Sequence, residues 1–242
     1  MFDDLLSLLF PQSCYACDGA MARGEKYICT KCSVKLPYTD THIYGATELN
    51  PLQRRFWGKV PVRFAFAYLH FMPKGRVQRL LHKLKYRGAK ELGEHLGQRY
   101  GSLLSDYQYA EQFDIVVPVP LHRHKLRRRG YNQAESFAKG LADALQLPHN
   151  GKAIYRAIDT STQTSKSRFD RWQNVEQVFQ VPQPELVQGK RVLLVDDVMT
   201  TGATFNELAK VLRKHGTATV SAWMVARTLS GDSLAFQNSA TG

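Results

Sequence analysis

No stretch of the 242-residue sequence approaches the roughly 18 consecutive apolar residues that a membrane-spanning helix needs, and the N-terminal run MFDDLLSLLFPQS is broken at Pro11. That run also lacks the basic start of a secretory signal, with Asp3 and Asp4 in its place. Residues 5 to 10 read instead as a short helix packed on the domain, with a membrane contact as the alternative. Cysteine is missing beyond residue 32, and a chain of this length builds a substantial core without disulfide staples. Negative charge is scarce: 33 Lys plus Arg face 21 Asp plus Glu, a formal net charge of +12. Such a surplus attracts phosphates, nucleic acid or anionic lipid and does not choose among them. From these features we expect a soluble, cytoplasmic protein with one main domain and a small appendage.

The four cysteines form two pairs, Cys14 with Cys17 and Cys29 with Cys32, separated by eleven residues. Thiolates two residues apart on a tight turn point to one centre, and two such turns supply the sulfurs of a tetrahedral Zn2+ site. Two disulfides, disfavoured in a reducing compartment, or two redox CxxC pairs are the alternatives. Four sulfurs leave no open coordination position, so the metal is expected to be structural. Lys26, Lys31 and Lys35 also admit a nucleic-acid-contacting finger beside the favoured reading of a small folding module.

Residues 37 to 62 contain Pro37, Gly45, Pro51, Gly58 and Pro61 and read as connector rather than core, with a boundary near residue 55. The aromatic-rich VRFAFAYLHF, Val62 to Phe71, alternates as a strand does. In GRVQRLLHKLKYRG, Val77, Leu80, Leu81 and Leu84 recur at helical spacing, opposite a face of Arg76, Arg79, His82, Lys83 and Lys85. Asp114 to Val119 reads as a strand covered on both faces. It runs into a basic loop with Arg123, Lys125, Arg127, Arg128 and Arg129, then a helix from about Asn132. Five cations between a strand end and a helix N-terminus suit pyrophosphate or a nucleic-acid backbone, or simply a solvated face. A second unit follows: strand Arg191 to Val195, loop, helix from about Thr204 to Lys214, a stop at Gly216, and strand Thr219 to Ala226. Strand, helix, strand predicts parallel pairing with right-handed crossovers. The fold class is therefore α/β, a mostly parallel sheet with helices on both faces, whose ligands bind beyond the carboxyl ends of the strands.

At one such end lies VLLVDDVMTTGAT. Asp196 and Asp197 can accept hydrogen bonds from vicinal hydroxyls and help hold hydrated Mg2+, while their mutual repulsion requires a cation or donors nearby. Thr200, Thr201, Gly202, Ala203 and Thr204 then lead into a helix, where hydroxyls, a close-approaching backbone and free N–H groups favour a phosphate. A diol acceptor beside a phosphate cradle describes a ribose 5-phosphate. An acidic strand end with a threonine helix cap explains one Asp and one Thr of this string and leaves the rest.

This string resembles the phosphoribosyl-pyrophosphate signature of type I phosphoribosyltransferases. Together with the four-Cys finger, LKYRG (Leu84 to Gly88), VPVPLHRHKLRRRGYNQAE and TQTSKSRFDRWQNVEQVF (Thr162 to Phe179), the chain resembles the ComF family of competence-associated proteins, in the same order and over nearly its whole length. The resemblance implies a zinc-finger module and connector over residues 1–55, a type I phosphoribosyltransferase-like domain over 56–229, and a poorly ordered tail over 230–242. It implies that Thr200 to Thr204 hold a sugar 5-phosphate, that Asp196 and Asp197 hold the ribose hydroxyls and carry any catalysis, and that Pro120 to Arg129, with Arg127, Arg128 and Arg129, hold pyrophosphate with Mg2+. Lys85, Tyr86 and Arg87 are candidates for closing over phosphoribosyl pyrophosphate, and Arg168, Arg171 and Asn174 fall in a polar, mobile segment of the family. An active transferase would expel pyrophosphate from the sugar's C1 toward an acceptor, for which the sequence has no nucleobase-pocket motif. The family's association with natural transformation implies handling of incoming single-stranded DNA at the cytoplasmic side, peripheral to the inner face of the membrane. The implied partners are a helicase-like competence ATPase and the uptake channel. Tyr86, Tyr131 and Phe137, interleaved with the arginines, are candidate base-stacking residues.

Overall fold

The computed structural model describes residues 12–44, 50–157 and 178–228. The expected N-terminal helix over 5–10, the segment with Arg168, Arg171 and Asn174, and the tail over 230–242 lie outside the described residues.

Four strands form one parallel sheet in the order β1-β6-β5-β2: β1 is Ala65–Phe71, β2 Ile115–Pro118, β5 Arg191–Met199 and β6 Thr219–Thr228. Two short strands, β3 (Tyr155–Arg156) and β4 (Phe179–Gln180), pair antiparallel in a second sheet. The alternation of side chains along each strand builds two cores. Phe66, Tyr68, Val116, Leu193, Val195, Trp223 and Val225 pack on one face against α2 (Arg76–Tyr86), α3 (Lys90–Asp106) and α5 (Gln133–Leu145). Ala67, Val117, Val192, Leu194, Ala222 and Met224 pack on the other against α6 (Ala203–Lys214). The sheet is thus apolar on both faces, as the aliphatic runs predict. In α2 the four residues of helical spacing, Val77, Leu80, Leu81 and Leu84, are all buried.

The structure corrects two readings. The basic loop after β2 is a helix, α4 (Arg123–Arg129): the His122 side chain caps it by accepting from the His124 N–H, and Gly130 ends it in the left-handed region at φ 78°. Arg, Lys and Leu are good helix formers, so once both ends are closed the segment winds. Much of the segment read as connector is core. Leu52, Phe56 and Val60 are buried on the α6 side, and residues 37–39 pair with the free edge of β1, where the His70 N–H donates to the Pro37 carbonyl at 2.7 Å. Asn50 organises this stretch, its Oδ1 accepting from the N–H groups of Leu52 and Gln53 and its Nδ2 donating to the Ala65 carbonyl.

The four-Cys segment holds the short helix α1 (Thr30–Val34). It packs through Cys14, Ala16, Ile28, Cys29, Cys32 and Leu36 into the same core as α2 and α3.

Candidate functional site

The acidic pair lies inside β5, which continues to Met199 rather than ending at Val195. Alternation sends the two carboxylates to opposite faces: Asp196 follows Val192 and Leu194 toward the α6 side, and Asp197 follows Leu193 and Val195 toward α2 and α5. Each has one backbone donor, since the Asp197 N–H donates to Asp196 Oδ1 at 2.8 Å and the Val198 N–H to Asp197 Oδ1 at 2.7 Å. The second oxygen of Asp197 is taken by Lys85, whose Nζ lies 2.7 Å from Oδ2. Asp196 has no such ion pair among the described residues. Burial of its carboxyl, and then the charge of Asp197, push it up to about 8, against smaller opposing pulls from the Asp197 N–H, Lys85 and Arg156. Burial beside a like charge thus favours the protonated form of Asp196.

The loop after β5 turns at Gly202, in the left-handed region at φ 79°. A Cβ there would make ordinary contact with the Phe56 ring at 3.5 Å, so it is conformation rather than space that asks for glycine. Thr200, Thr201 and Ala203 are exposed, and Thr204 is half-buried. The first N–H groups of the twelve-residue α6 have no intrahelical partners by geometry, although Thr201 Oγ1 accepts from Ala203 N–H at 3.4 Å. Phe56, edge-on to Phe205, supports the turn from below, and Arg55 Nη1 donates to the Thr200 carbonyl at 2.9 Å. Arg55, Phe56 and Arg156 were missed in the sequence because the first two sit in a stretch with connector composition and the third on a two-residue strand. Only tertiary contact brings them to this loop and to Asp196.

A cleft of about 410 Å3 is lined by Lys85, Tyr86 and Gly88 from the end of α2 and by Arg128 and Arg129 from α4. Tyr86 is 61% exposed, its ring 4.8 Å from that of His82 and 6.0 Å from the Arg129 guanidinium. Arg129 also donates to Gln133 Oε1 at 2.6 Å. Arg87 and Arg127 are exposed and stand outside the lining. Tyr131 and Phe137 do not stack on anything from solvent. Both are buried, Phe137 wholly, and the Tyr131 hydroxyl donates to the Leu84 carbonyl of α2. Asn132 caps α5, accepting from the Ala134 N–H at 3.2 Å, and ties it to β2 by donating to the Val119 carbonyl at 3.0 Å. The RGYNQ string thus seats two helices rather than contacting ligand through every residue.

Away from this site the sulfurs of Cys14, Cys17, Cys29 and Cys32 lie within 4.8 Å of one another, and none is in a disulfide. Zn–S bonds of about 2.3 Å set tetrahedral S···S edges near 3.8 Å, and Cys17 and Cys29 sulfurs are 3.9 Å apart. The donor set and spacing therefore fit zinc. Burial raises the Cys14 thiol, but N–H donors from Cys29, Ala16 and Cys17 outweigh it and bring it to about 7, while burial and neighbouring sulfurs push Cys32 up to about 12. A dication would relieve that crowding.

Among the described residues no helix is long and apolar enough to cross a membrane. The family model for the phosphoribosyl transferase domain matches residues 131–233. DNA utilization protein YhgH of Escherichia coli O157:H7 is 31% identical over 222 residues, 89% of this chain and 90% of that protein. Competence protein F of Haemophilus influenzae is 29% identical over 87% of this chain and 90% of its own length, and competence protein ComFC of Bacillus subtilis 26% identical over 92% and 88%. A solved structure described as the allosteric regulatory enzyme of purine biosynthesis is similar at a TM-score of 0.41 and 22% identity over 59% of this chain, which spans 29% of that one. A parallel sheet with an acidic pair and threonine loop at one strand's end, a cluster of four thiols and nine-tenths coverage of these relatives converge: the chain belongs to the ComF family of competence proteins, with DNA utilization protein YhgH and competence protein F.

Proposed function

We propose that this protein binds single-stranded DNA along the cleft between α2 and α4 and carries a separate pocket for phosphoribosyl pyrophosphate with Mg2+ at Asp196, Asp197 and the threonine loop. The observation that carries the reading is Tyr86, an exposed aromatic ring beside two arginines and a lysine at the edge of the acidic pair. A base has a π-face for Tyr86, and the flanking phosphodiesters have Arg128 and Arg129. A net charge of +12 supplies the long-range attraction. Relatives named for competence and DNA utilization support a role in taking up or using DNA. In that role the protein acts at the cytoplasmic side with a helicase-like ATPase and the uptake channel.

In the pocket, the carboxylates accept from the sugar hydroxyls and coordinate Mg2+, and the N-terminus of α6 with Thr200, Thr201 and Thr204 takes the 5-phosphate. Mg2+, when bound, supplies charge neutralisation for a diphosphate.

The test is fluorescence anisotropy of a labelled oligothymidylate across a salt series. Log affinity should fall linearly with log salt, and replacing Arg128 and Arg129 by Ala should flatten the slope by about 0.7 for each phosphate no longer neutralised. Tyr86→Ala should weaken binding by about 1–3 kcal/mol with the slope unchanged. An oligonucleotide that does not bind at low salt removes the proposal. Base-dependent release of pyrophosphate in a nucleobase panel would instead make the protein a transferase.

A further inference from the structure

Lys85 belongs to two sites at once. Its ammonium holds Asp197 Oδ2 at 2.7 Å, and its side chain also lines the cleft with Tyr86, Arg128 and Arg129. The helix beneath it is fixed: Leu84 is wholly buried and its carbonyl accepts from the buried Tyr131 hydroxyl. A change of partner at Lys85 therefore needs only the side chain to move, on a flexible four-carbon stem. Asp197 Oδ1 is already engaged by the Val198 N–H, so a diol or Mg2+ arriving at the pair must contend with the ammonium for Oδ2. A divalent cation beside Asp197 also repels it.

From this we infer that Lys85 is an exchange residue coupling the sugar-phosphate pocket to the nucleic-acid cleft. With the pocket empty, Lys85 neutralises Asp197 and its charge is engaged there. With a ribose phosphate and Mg2+ on the acidic pair, Lys85 turns into the cleft as a third cation beside Arg128 and Arg129. The cleft then binds a phosphodiester backbone more tightly, and by reciprocity the backbone tightens the pocket by the same factor. The inference rests on the proposed function and names the way its two sites are regulated.

The probe is ribose 5-phosphate, which carries the diol and the 5-phosphate but no diphosphate to compete for the cleft. Labelled oligothymidylate is titrated at constant Mg2+ and ionic strength, with and without ribose 5-phosphate, and calorimetry checks sugar-phosphate binding separately. In the wild type the sugar phosphate should raise oligonucleotide affinity at least about fivefold. Lys85→Met should remove that response. Lys85→Arg should retain part of it. Asp197→Asn should bind the oligonucleotide tightly from the start, without further response. Arg213→Ala, an exposed cation in the last turn of α6, should respond as wild type does. A response that persists in Lys85→Met, or a wild type that binds both ligands independently, overturns the coupling and leaves the two-site reading standing. Failure of the oligonucleotide or of ribose 5-phosphate to bind at all overturns that reading and the coupling with it. Circular dichroism of each variant identifies a loss that is merely unfolding, and Lys85→Arg then decides the outcome.

Discussion

Two adjacent carboxylates have unequal surroundings here because a strand turns successive side chains to opposite faces. Asp197 meets Lys85, while burial beside a like charge pushes Asp196 up to about 8 from 3.8. Between those values the folded chain holds the proton more tightly than the unfolded chain does. Stability therefore falls as pH rises across that window, and nothing is lost below it. Asp196→Asn should abolish this fall. Without added Mg2+, its melting temperature should match wild type below about pH 3.5 and exceed it increasingly up to about pH 8, each kcal/mol appearing as about 2–4 °C in a domain of this size. Melting curves whose pH dependences stay parallel would show that Asp196 is ionised throughout. The same substitution should weaken the binding of Mg2+ with ribose 5-phosphate, so stability and ligand affinity move in opposite directions.

At the scale of elements, α3 and α5 approach along glycine. Gly93, Gly97 and Gly101 recur every fourth residue on α3, and a Cβ on Gly97 would lie 2.3 Å from the Phe137 carbonyl oxygen of α5. From the other side, a Cβ on Gly140 would lie 2.0 Å from the Glu94 carbonyl oxygen. Glycine ordinarily costs a helix about 1 kcal/mol relative to alanine, so the usual expectation is that Gly→Ala stabilises. Here the sign should reverse. Gly140→Ala should destabilise by about 1–3 kcal/mol, or more, because backbone oxygen cannot rotate away as a side chain can, and chemical denaturation will measure it. A neutral or stabilising outcome would mean that the two helices are farther apart than described. Since α5 is capped by Asn132 and its neighbour α4 carries Arg128 and Arg129, a shift of α5 should also weaken oligonucleotide binding. The winding of α4 was not legible beforehand, because an arginine-rich string satisfies a solvated loop and a helix equally until a cap at His122 and a stop at Gly130 are seen together.

For the whole molecule, the four-Cys segment is not a separate bead. Its apolar side shares one core with Leu80, Leu81 and Leu84, its Asp18 pairs with Lys83 at 2.8 Å, and the Lys83 ammonium lies 5.7 Å from the Tyr15 ring. The helix these contacts hold is α2, whose last turn delivers Lys85 and Tyr86 to the site. Metal analysis should find about one zinc per chain. Chelation, or Cys32→Ser, should lower the melting temperature of the entire protein in a single transition and weaken oligonucleotide binding, since structural zinc contributes folding energy directly. Two separate transitions, or an unchanged one, would show that the module and the sheet fold independently.

Sequence alone determined the features that depend on local pattern. Strands and helices followed from periodicity, the α/β class from their alternation, a four-sulfur cluster from two CxxC pairs, and an acidic pair leading into a threonine and glycine turn from the string after β5's aliphatic run. Most of these are written in stretches of neighbouring residues, where spacing fixes direction. Tertiary structure decided what depends on residues far apart in the chain. It buried Tyr131 and Phe137 and left Tyr86 as the exposed ring, turned Leu52, Phe56 and Val60 from connector into core, and set Arg55 beneath the threonine loop. Above all it placed Lys85 against Asp197, a pairing across 112 positions that no periodicity encodes. The reason is physical: the direction of a side chain follows from its own backbone, whereas its partner is chosen only when two cores close on a common sheet.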